Sequence, residues 1–240
     1  MIKVFESIED LSRAAADYIN ELSRTAITNK DVFYVTLAGG STPKKLYELL
    51  ATDYRDKIDW AKWQVFFSDE RFVPLDDENS NFGLAYKTLL SKVPVPAEHV
   101  HVIHEEADSV SMAAAAYEAD IKAVLKDEPF DLILLGLGSD GHTASLFPGK
   151  PALQETEKLV VASEPGILPP PVERITLTLP LINSAKNVAF LAAGADKTEM
   201  VKQATQGGDI PAAKVHLASG EAVWFIDRAA SKINEAADLL

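Results

Sequence analysis

Cysteine is absent from the 240 residues, which excludes thiol nucleophiles, Cys-ligated zinc and disulfide staples. That composition suits a reducing compartment, so a cytoplasmic location is expected. Long apolar runs are also missing: no stretch approaches the ~18 residues that a membrane span requires. The opening Met1–Asp10, MIKVFESIED, has no basic flank followed by an apolar run, so neither a secretory leader nor an anchor is expected there. Positive charge is scarce, with 23 Lys and Arg against 36 Asp and Glu and a formal charge of −13. Nucleic acids and anionic membranes are held by clustered cations, so neither is an expected partner. A small anion needs only two or three cations aimed into one pocket. No internal repeat, low-complexity tract or charged tail is visible.

What is present describes one α/β domain spanning residues 1–240. At this length a single core buries roughly 70–75% of the surface that the unfolded chain exposes, without a metal or disulfide to support it. Short runs rich in β-branched and aromatic residues, at 32–37 (VFYVTL), 64–67 (QVFF), 130–135 (FDLILL) and 188–192 (VAFLA), read as buried strands. Between them lie helical spacings. Ile8, Leu11, Ala15, Tyr18, Ile19 and Leu22 share one face, and Ser7 with Asp10 forms a capping-box pattern ahead of them. Thr42-Pro43 predicts an N-cap and first turn for a helix through Leu50. Ser109 predicts the cap of an Ala-rich helix to about Leu125. Strands alternating with helices imply an open, mostly parallel sheet with helices on both faces, a Rossmann-like three-layer sandwich. The Pro-rich stretch 164–172 (EPGILPPPV) reads as a stiff surface loop, either a wall of a site or a plain connector.

In such sheets ligands bind beyond the carboxyl ends of the strands, and four of those ends carry chemistry. After Leu37, Gly39-Gly40-Ser41 feeds a helix N-terminus, where free N–H groups and the helix dipole favour an anion such as phosphate; a turn that merely needs glycine geometry is the bland alternative. After Phe67 comes Asp69-Glu70-Arg71, a solvated turn by default, in which Arg71 has the guanidinium fork that grips a phosphate. After Leu135 the segment GLGSDGHTASLFPG frames His142 with glycines; His is the usual general base near neutral pH, and Asp140 can orient its ring. After Ala192, Gly194-Ala195-Asp196-Lys197 puts an ammonium at a helix N-terminus, the unfavourable end of the dipole unless an anion lies between them. Arg174, opening the strand-like RITLTLP, is a weaker candidate for the same pocket.

In their order and spacing, AGGSTP, SDERFVP, GLGSDGHTASLFPG, ERITLTLP and GADK together resemble the 6-phosphogluconolactonase family. The resemblance is close from Val32 to Lys197, and the histidine segment is its most specific part. It implies hydrolysis of 6-phospho-D-glucono-1,5-lactone, the second step of the oxidative pentose phosphate pathway, by a protein that is commonly a monomer. It also implies a fold shared with glucosamine-6-phosphate deaminase. That enzyme is the chief competitor, but its pattern continues after the histidine with Asn-Glu-Pro and its acidic turn reads Asp-Glu-Tyr. This chain has Leu146-Phe147-Pro148 and Asp69-Glu70-Arg71. A non-catalytic sugar-phosphate sensor is the third reading; such regulators carry a DNA-binding segment for which the α/β unit leaves no room.

The expected site therefore has His142 as base and Asp140 as its orienter. Gly39, Gly40, Ser41, Arg71, Lys197 and Arg174 hold the phosphate, and Asp69 and Glu70 lie at the site by resemblance. Neither a metal nor another cofactor is expected, because a lactone carbonyl is open to direct attack by activated water and the chain has no His-x-x-x-His pair.

Overall fold

The computed structural model describes residues 1–103, 106–126, 128–166 and 170–231. In chain order the strands are β1 (Ile2–Phe5), β2 (Phe33–Leu37), β3 (Trp63–Phe67), β4 (Asp69–Arg71), β5 (Leu132–Gly136), β6 (Val160–Ser163), β7 (Arg174–Leu177), β8 (Asn187–Ala192) and β9 (Glu221–Asp227). The helices are α1 (Ile8–Lys30), α2 (Ser41–Asp53), α3 (Asn81–Ala85), α4 (Val110–Leu125), α5 (Leu179–Ser184), α6 (Thr198–Thr205) and α7 (Arg228–Ser231).

Six strands form one sheet in the order β1-β9-β8-β5-β2-β3, every pair parallel. Successive side chains on a buried strand serve opposite faces. Thus Leu132 and Leu134 of β5 join the core beneath α1 and α2, whereas Ile133 and Leu135 join the core beneath α4 and α5. Two cores on the two faces of one sheet complete the three expected layers. The four strands read from the sequence are all present, with ends moved by one or two residues, the ordinary uncertainty of strand boundaries. The edge strand β1 and its neighbour β9 were not anticipated. β1 alternates between exposed and half-buried residues, so it lacks the continuous apolar run of a buried strand.

The second sheet, β4-β7-β6, is antiparallel and was not expected. It packs on the α4 side, where Val160, Ile175 and Leu177 enter the same core as Tyr117 and Ile121. Its role is to bring the acidic turn and Arg174 together: Asp69 lies opposite Thr176, and Arg71 lies opposite Arg174.

Caps account for the helix starts. Ser7 accepts the Asp10 N–H at 3.1 Å, and Ser109 accepts the Met112 N–H at 3.3 Å, as expected. The start of α2 departs from the Thr42-Pro43 expectation: Gly40 is the N-cap, with φ of 107° and no side-chain cap, and Thr42 lies inside the helix. A cap without a side chain leaves this helix end open toward the neighbouring strand ends. Part of the Pro-rich loop, residues 167–169, lies outside the described residues.

Candidate active site

The sheet order locates the site. The chain leaves β2 for the edge strand β3, then returns past β2 to β5 and proceeds outward through β8 and β9. Connections diverge between β2 and β5, and a crevice opens beyond the carboxyl ends of strands at such a switch point. A cleft of about 230 Å³ lies there, lined by Gly39, Gly40, Asp69, Arg71, His142, Arg174 and Lys197 among others. A larger groove of about 440 Å³, between α4 and β6, shares no lining residue with it. The smaller cleft is the one with converging charged groups, which is the mark of a site that orients a polar ligand.

The loop after β5 is folded on itself around His142. The Gly138 N–H donates to the His142 carbonyl at 2.8 Å and the Gly141 N–H to the Gly138 carbonyl at 3.0 Å. The Thr143 hydroxyl ties the loop to the Gly136 carbonyl at 2.9 Å. This brings His142 Nδ1 within 2.5 Å of Asp140 Oδ1, and the same oxygen accepts the His142 backbone N–H at 3.1 Å. Burial raises the Asp140 carboxyl, but the hydrogen bonds and charge of His142 outweigh it and hold the group below the usual carboxylate range. The carboxylate is therefore ionised and accepts from Nδ1–H, which leaves Nε2 as the basic nitrogen. Only glycine fits at 138, because a Cβ there would lie 2.1 Å from His142 Nδ1 and 2.7 Å from Asp140 Oδ1.

Two guanidinium groups occupy another side of the cleft. Arg71 and Arg174 are directly opposed across β4 and β7, and like charges in that arrangement repel. Neither forms an ion pair among the described residues; Arg71 donates to the Asn79 carbonyl at 2.6 Å and Arg174 to that of Pro170 at 3.3 Å. The Nε of each is buried without a partner among the described residues. Burial lowers the pKa of Arg174, countered by the charge of Asp69. Two like charges on opposed residues, the buried Arg174 and the half-buried Arg71, are readily explained by an anion that binds between them. Phe147 joins this region to the base: its ring centroid lies 4.7 Å from that of His142 and 5.4 Å from the Arg174 guanidinium carbon.

Lys197 reaches the cleft from the turn after β8, where it also meets the exposed Asp196 at 3.1 Å. Asp227, at the end of β9, fixes that turn by accepting the Gly194 N–H at 3.0 Å. Asp69 is buried in the cleft wall. One of its oxygens accepts from Ser145 Oγ at 2.6 Å and the other from Asn81 Nδ2 at 3.2 Å.

The structure thus brings together Gly39, Gly40, Asp69, Arg71, His142, Arg174 and Lys197, with Asp140 directly behind the imidazole. Ser41 and Glu70 are not among the lining residues. The exposed Ser41 opens α2. Glu70 is 3% exposed, and its carboxylate is consumed internally. One oxygen accepts the Arg71 and Asn81 N–H groups at 2.8 and 2.7 Å; the other accepts the Phe82 N–H at 2.8 Å and the Ser80 hydroxyl at 3.1 Å. It therefore caps α3 and holds Arg71 and Asn81 at the cleft. A neutral amide would offer N–H donors to some of these donors, so Glu70→Gln is expected to cost about 1–3 kcal/mol in urea-unfolding experiments.

The pH dependence of that anchor has a definite sign. Burial raises the Glu70 carboxyl above its ordinary value, although three backbone N–H groups oppose the rise. Stability linked to a raised acid is fully present below the unfolded pKa near ~4.3 and is lost as pH climbs through the folded value. Wild type should show this decline above about pH 4.3 and Glu70→Gln should lack it.

Sequence reasoning missed Asn81, Ser145 and Phe147 as parts of the site. Ser80-Asn81 carries a helix-cap signal, since Ser80 accepts the Gly83 N–H at 2.9 Å, but nothing local reveals that this short helix abuts the cleft. Among the described residues no group of three or more His, Asp or Glu is placed to hold a metal ion, and no helix is long and apolar enough to cross a membrane.

Comparison with known proteins follows the same lines. The family described as glucosamine-6-phosphate isomerases/6-phosphogluconolactonase matches residues 6–224. The protein named 6-phosphogluconolactonase 3, chloroplastic, from Arabidopsis thaliana is 40% identical over 242 residues, which cover 96% of this chain and 74% of that protein. Among solved structures, the 6-phosphogluconolactonase from Trypanosoma cruzi superposes with a TM-score of 0.87 at 29% identity, covering 98% of this chain and 96% of that one. The 6-phosphogluconolactonase from Thermotoga maritima gives 0.85 at 32% identity, covering 95% and 99%.

Proposed function

Since this chain belongs to the family of glucosamine-6-phosphate isomerases and 6-phosphogluconolactonases, we propose that it hydrolyses 6-phospho-D-glucono-1,5-lactone to 6-phospho-D-gluconate, as a cytosolic monomer serving the oxidative pentose phosphate pathway. The observation that carries this reading is a single cleft with an oriented imidazole on one side and, on the other, two guanidinium groups that pair with no carboxylate among the described residues. A base and an anion grip are what a phosphorylated lactone needs.

The phosphate binds to Arg71, Arg174 and Lys197, supported by the Gly39-Gly40 turn and the open start of α2, where backbone N–H groups and the dipole favour negative charge. Anchored there, the lactone presents C1 to the His142 side of the cleft. His142 Nε2 removes a proton from water as its oxygen bonds to C1, and the carbonyl electrons move onto the oxygen. The imidazolium that forms is stabilised by Asp140 through Nδ1–H. Collapse of the tetrahedral species breaks the bond between C1 and the ring oxygen, and the proton held on Nε2 passes to that oxygen as it becomes a hydroxyl. The new carboxylic acid then ionises, so one proton reaches solvent per turnover.

The deaminase reading is less well supported. Ring opening and proton shuttling on an amino sugar call for an additional acid beside the histidine, and here Phe147 packs against that ring. Asp69, the carboxylate in the cleft wall, is engaged by Ser145 and Asn81.

The deciding experiment follows proton release in weak buffer from freshly prepared 6-phosphogluconolactone, with glucosamine-6-phosphate run in parallel for ammonia. Acceleration on the lactone and none on the amino sugar is expected. Ammonia release would replace the lactonase reading with the deaminase, and stabilisation by 6-phosphogluconate without turnover would replace it with a sensor.

A further inference from the structure

We infer that Asn81 is a positioning residue that fixes the separation between the Gly39-Gly40 turn and the Asp69-Arg71 turn, and thereby the fit of the phosphate group. The kinetic part of this inference rests on the lactonase reading above.

Asn81 is 2% exposed and forms part of the cleft wall. Its backbone is held by Glu70, which accepts its N–H at 2.7 Å. Its side-chain Nδ2 donates to the Asp69 carbonyl at 2.8 Å and to Asp69 Oδ1 at 3.2 Å. Because both of these neighbours are acceptors, the amide has one admissible orientation, and its oxygen must face the other way. There Oδ1 is buried with no hydrogen-bond partner among the described residues and abuts Gly39: a Cβ at that residue would sit 1.8 Å from Oδ1 and 2.5 Å from Cγ. Buried polar atoms without a partner are uncommon in folded proteins, because the lost hydration is not replaced. Stability alone gives no reason to put an acceptor at this contact.

The contact closes a chain of interactions across the cleft. Ser145, from the His142 loop, holds one Asp69 oxygen at 2.6 Å; Asn81 holds the other and abuts Gly39. The base loop, the acidic turn and the glycine turn are therefore fixed in one row, with Asn81 as the spacer between the last two. Gly39 and Asn81 are mutually dependent, since the missing side chain at 39 is the space that the amide fills.

The test uses the full chain as wild type, Asn81→Ala, Asn81→Asp, Gly39→Ala and the double variant Gly39→Ala/Asn81→Ala. Two readouts are taken: kcat and KM on the lactone, and the rise in Tm produced by 6-phosphogluconate. Asn81→Ala is expected to raise KM about tenfold, the effect of losing roughly one hydrogen bond's worth of binding, with a smaller change in kcat and a reduced Tm rise. Gly39→Ala should be worse than Asn81→Ala, and the double variant should recover to the Asn81→Ala level because the steric conflict is gone. Asn81→Asp keeps the shape but faces Asp69 with a second carboxylate. It should raise KM at neutral pH and regain part of the loss as pH falls into the carboxylate range, which a merely structural role would not produce. Should Asn81→Ala fail to fold, Asn81→Asp supplies the answer.

Unchanged KM and Tm rise in the folded variants, or a double variant no better than Gly39→Ala, would overturn the inference. Wild type that hydrolyses no lactone, yet is stabilised by 6-phosphogluconate in a manner that Asn81→Ala loses, would overturn the lactonase reading and support the role of Asn81.

Discussion

Replacing His142 by alanine is expected to lower kcat by about 10²–10⁴-fold, the range that general-base assistance contributes, while KM for the lactone changes far less. The asymmetry follows from the separation of duties in the cleft: the imidazole meets water and C1, and the arginines and Lys197 hold the phosphate. Initial rates in a pH-stat, with the spontaneous hydrolysis subtracted, measure it directly. Near wild-type turnover by the alanine variant would remove His142 from the chemistry. Gly138→Ala is the complementary variant, because it keeps every reacting group and disturbs only placement. A Cβ 2.1 Å from His142 Nδ1 must displace the ring, and misplacement of a catalytic group by about 1 Å can cost 10²-fold. A kcat loss of that order with the histidine still present would show that the ring's position matters as well as its basicity.

Removing either guanidinium should act on binding instead. Arg71→Ala and Arg174→Ala are each expected to reduce kcat/KM by about 10–10²-fold, chiefly through KM, since a hydrogen bond to a charged group contributes ~1.5–3 kcal/mol. Stability separates this role from a structural one. In phosphate-free buffer the two cations oppose each other across β4 and β7 with no carboxylate paired to either among the described residues. Arg174→Met keeps an unbranched apolar side chain while giving up the guanidinium that lies over the Phe147 ring, and it removes one of the repelling charges. Its Tm should therefore hold or rise while its KM increases. A lower Tm with KM intact would make Arg174 a structural residue and return the phosphate to Arg71 and Lys197 alone.

Four strands of the parallel sheet, the caps of α1 and α4, and the glycine-framed histidine were legible in the sequence because each depends on neighbours within a few positions. The apolar run 130–135 must be buried on both sides, and Ser7 can reach only its own first helical turn. Asp140 and His142 are two residues apart, so a single loop sets their contact. The Gly39-Gly40 turn was legible as a loop, but its reason was not: Gly39 is required by Asn81, far along the chain.

Glu70 illustrates the opposite case. Three consecutive charges, Asp69, Glu70 and Arg71, are indistinguishable in a one-letter string, yet alternation along β4 sends them to different work. Asp69 and Arg71 line the cleft, and Glu70 turns away to cap α3. The short antiparallel sheet was equally hidden, because β4 has only three residues and gains its partner from 174–177.

By itself, the sequence determined the layered α/β architecture, the strand ends at which chemistry gathers, and the pairing of His142 with Asp140. These follow from periodicity, capping and short spacings, which are local properties of a chain. Only the tertiary structure decided that Arg71 faces Arg174, that Asn81 separates two turns, and that Phe147 stands between base and guanidinium. Those relations depend on strand order and register, which bring together residues from separate elements of the chain, as far apart as Arg71 and Arg174, and no local preference encodes them.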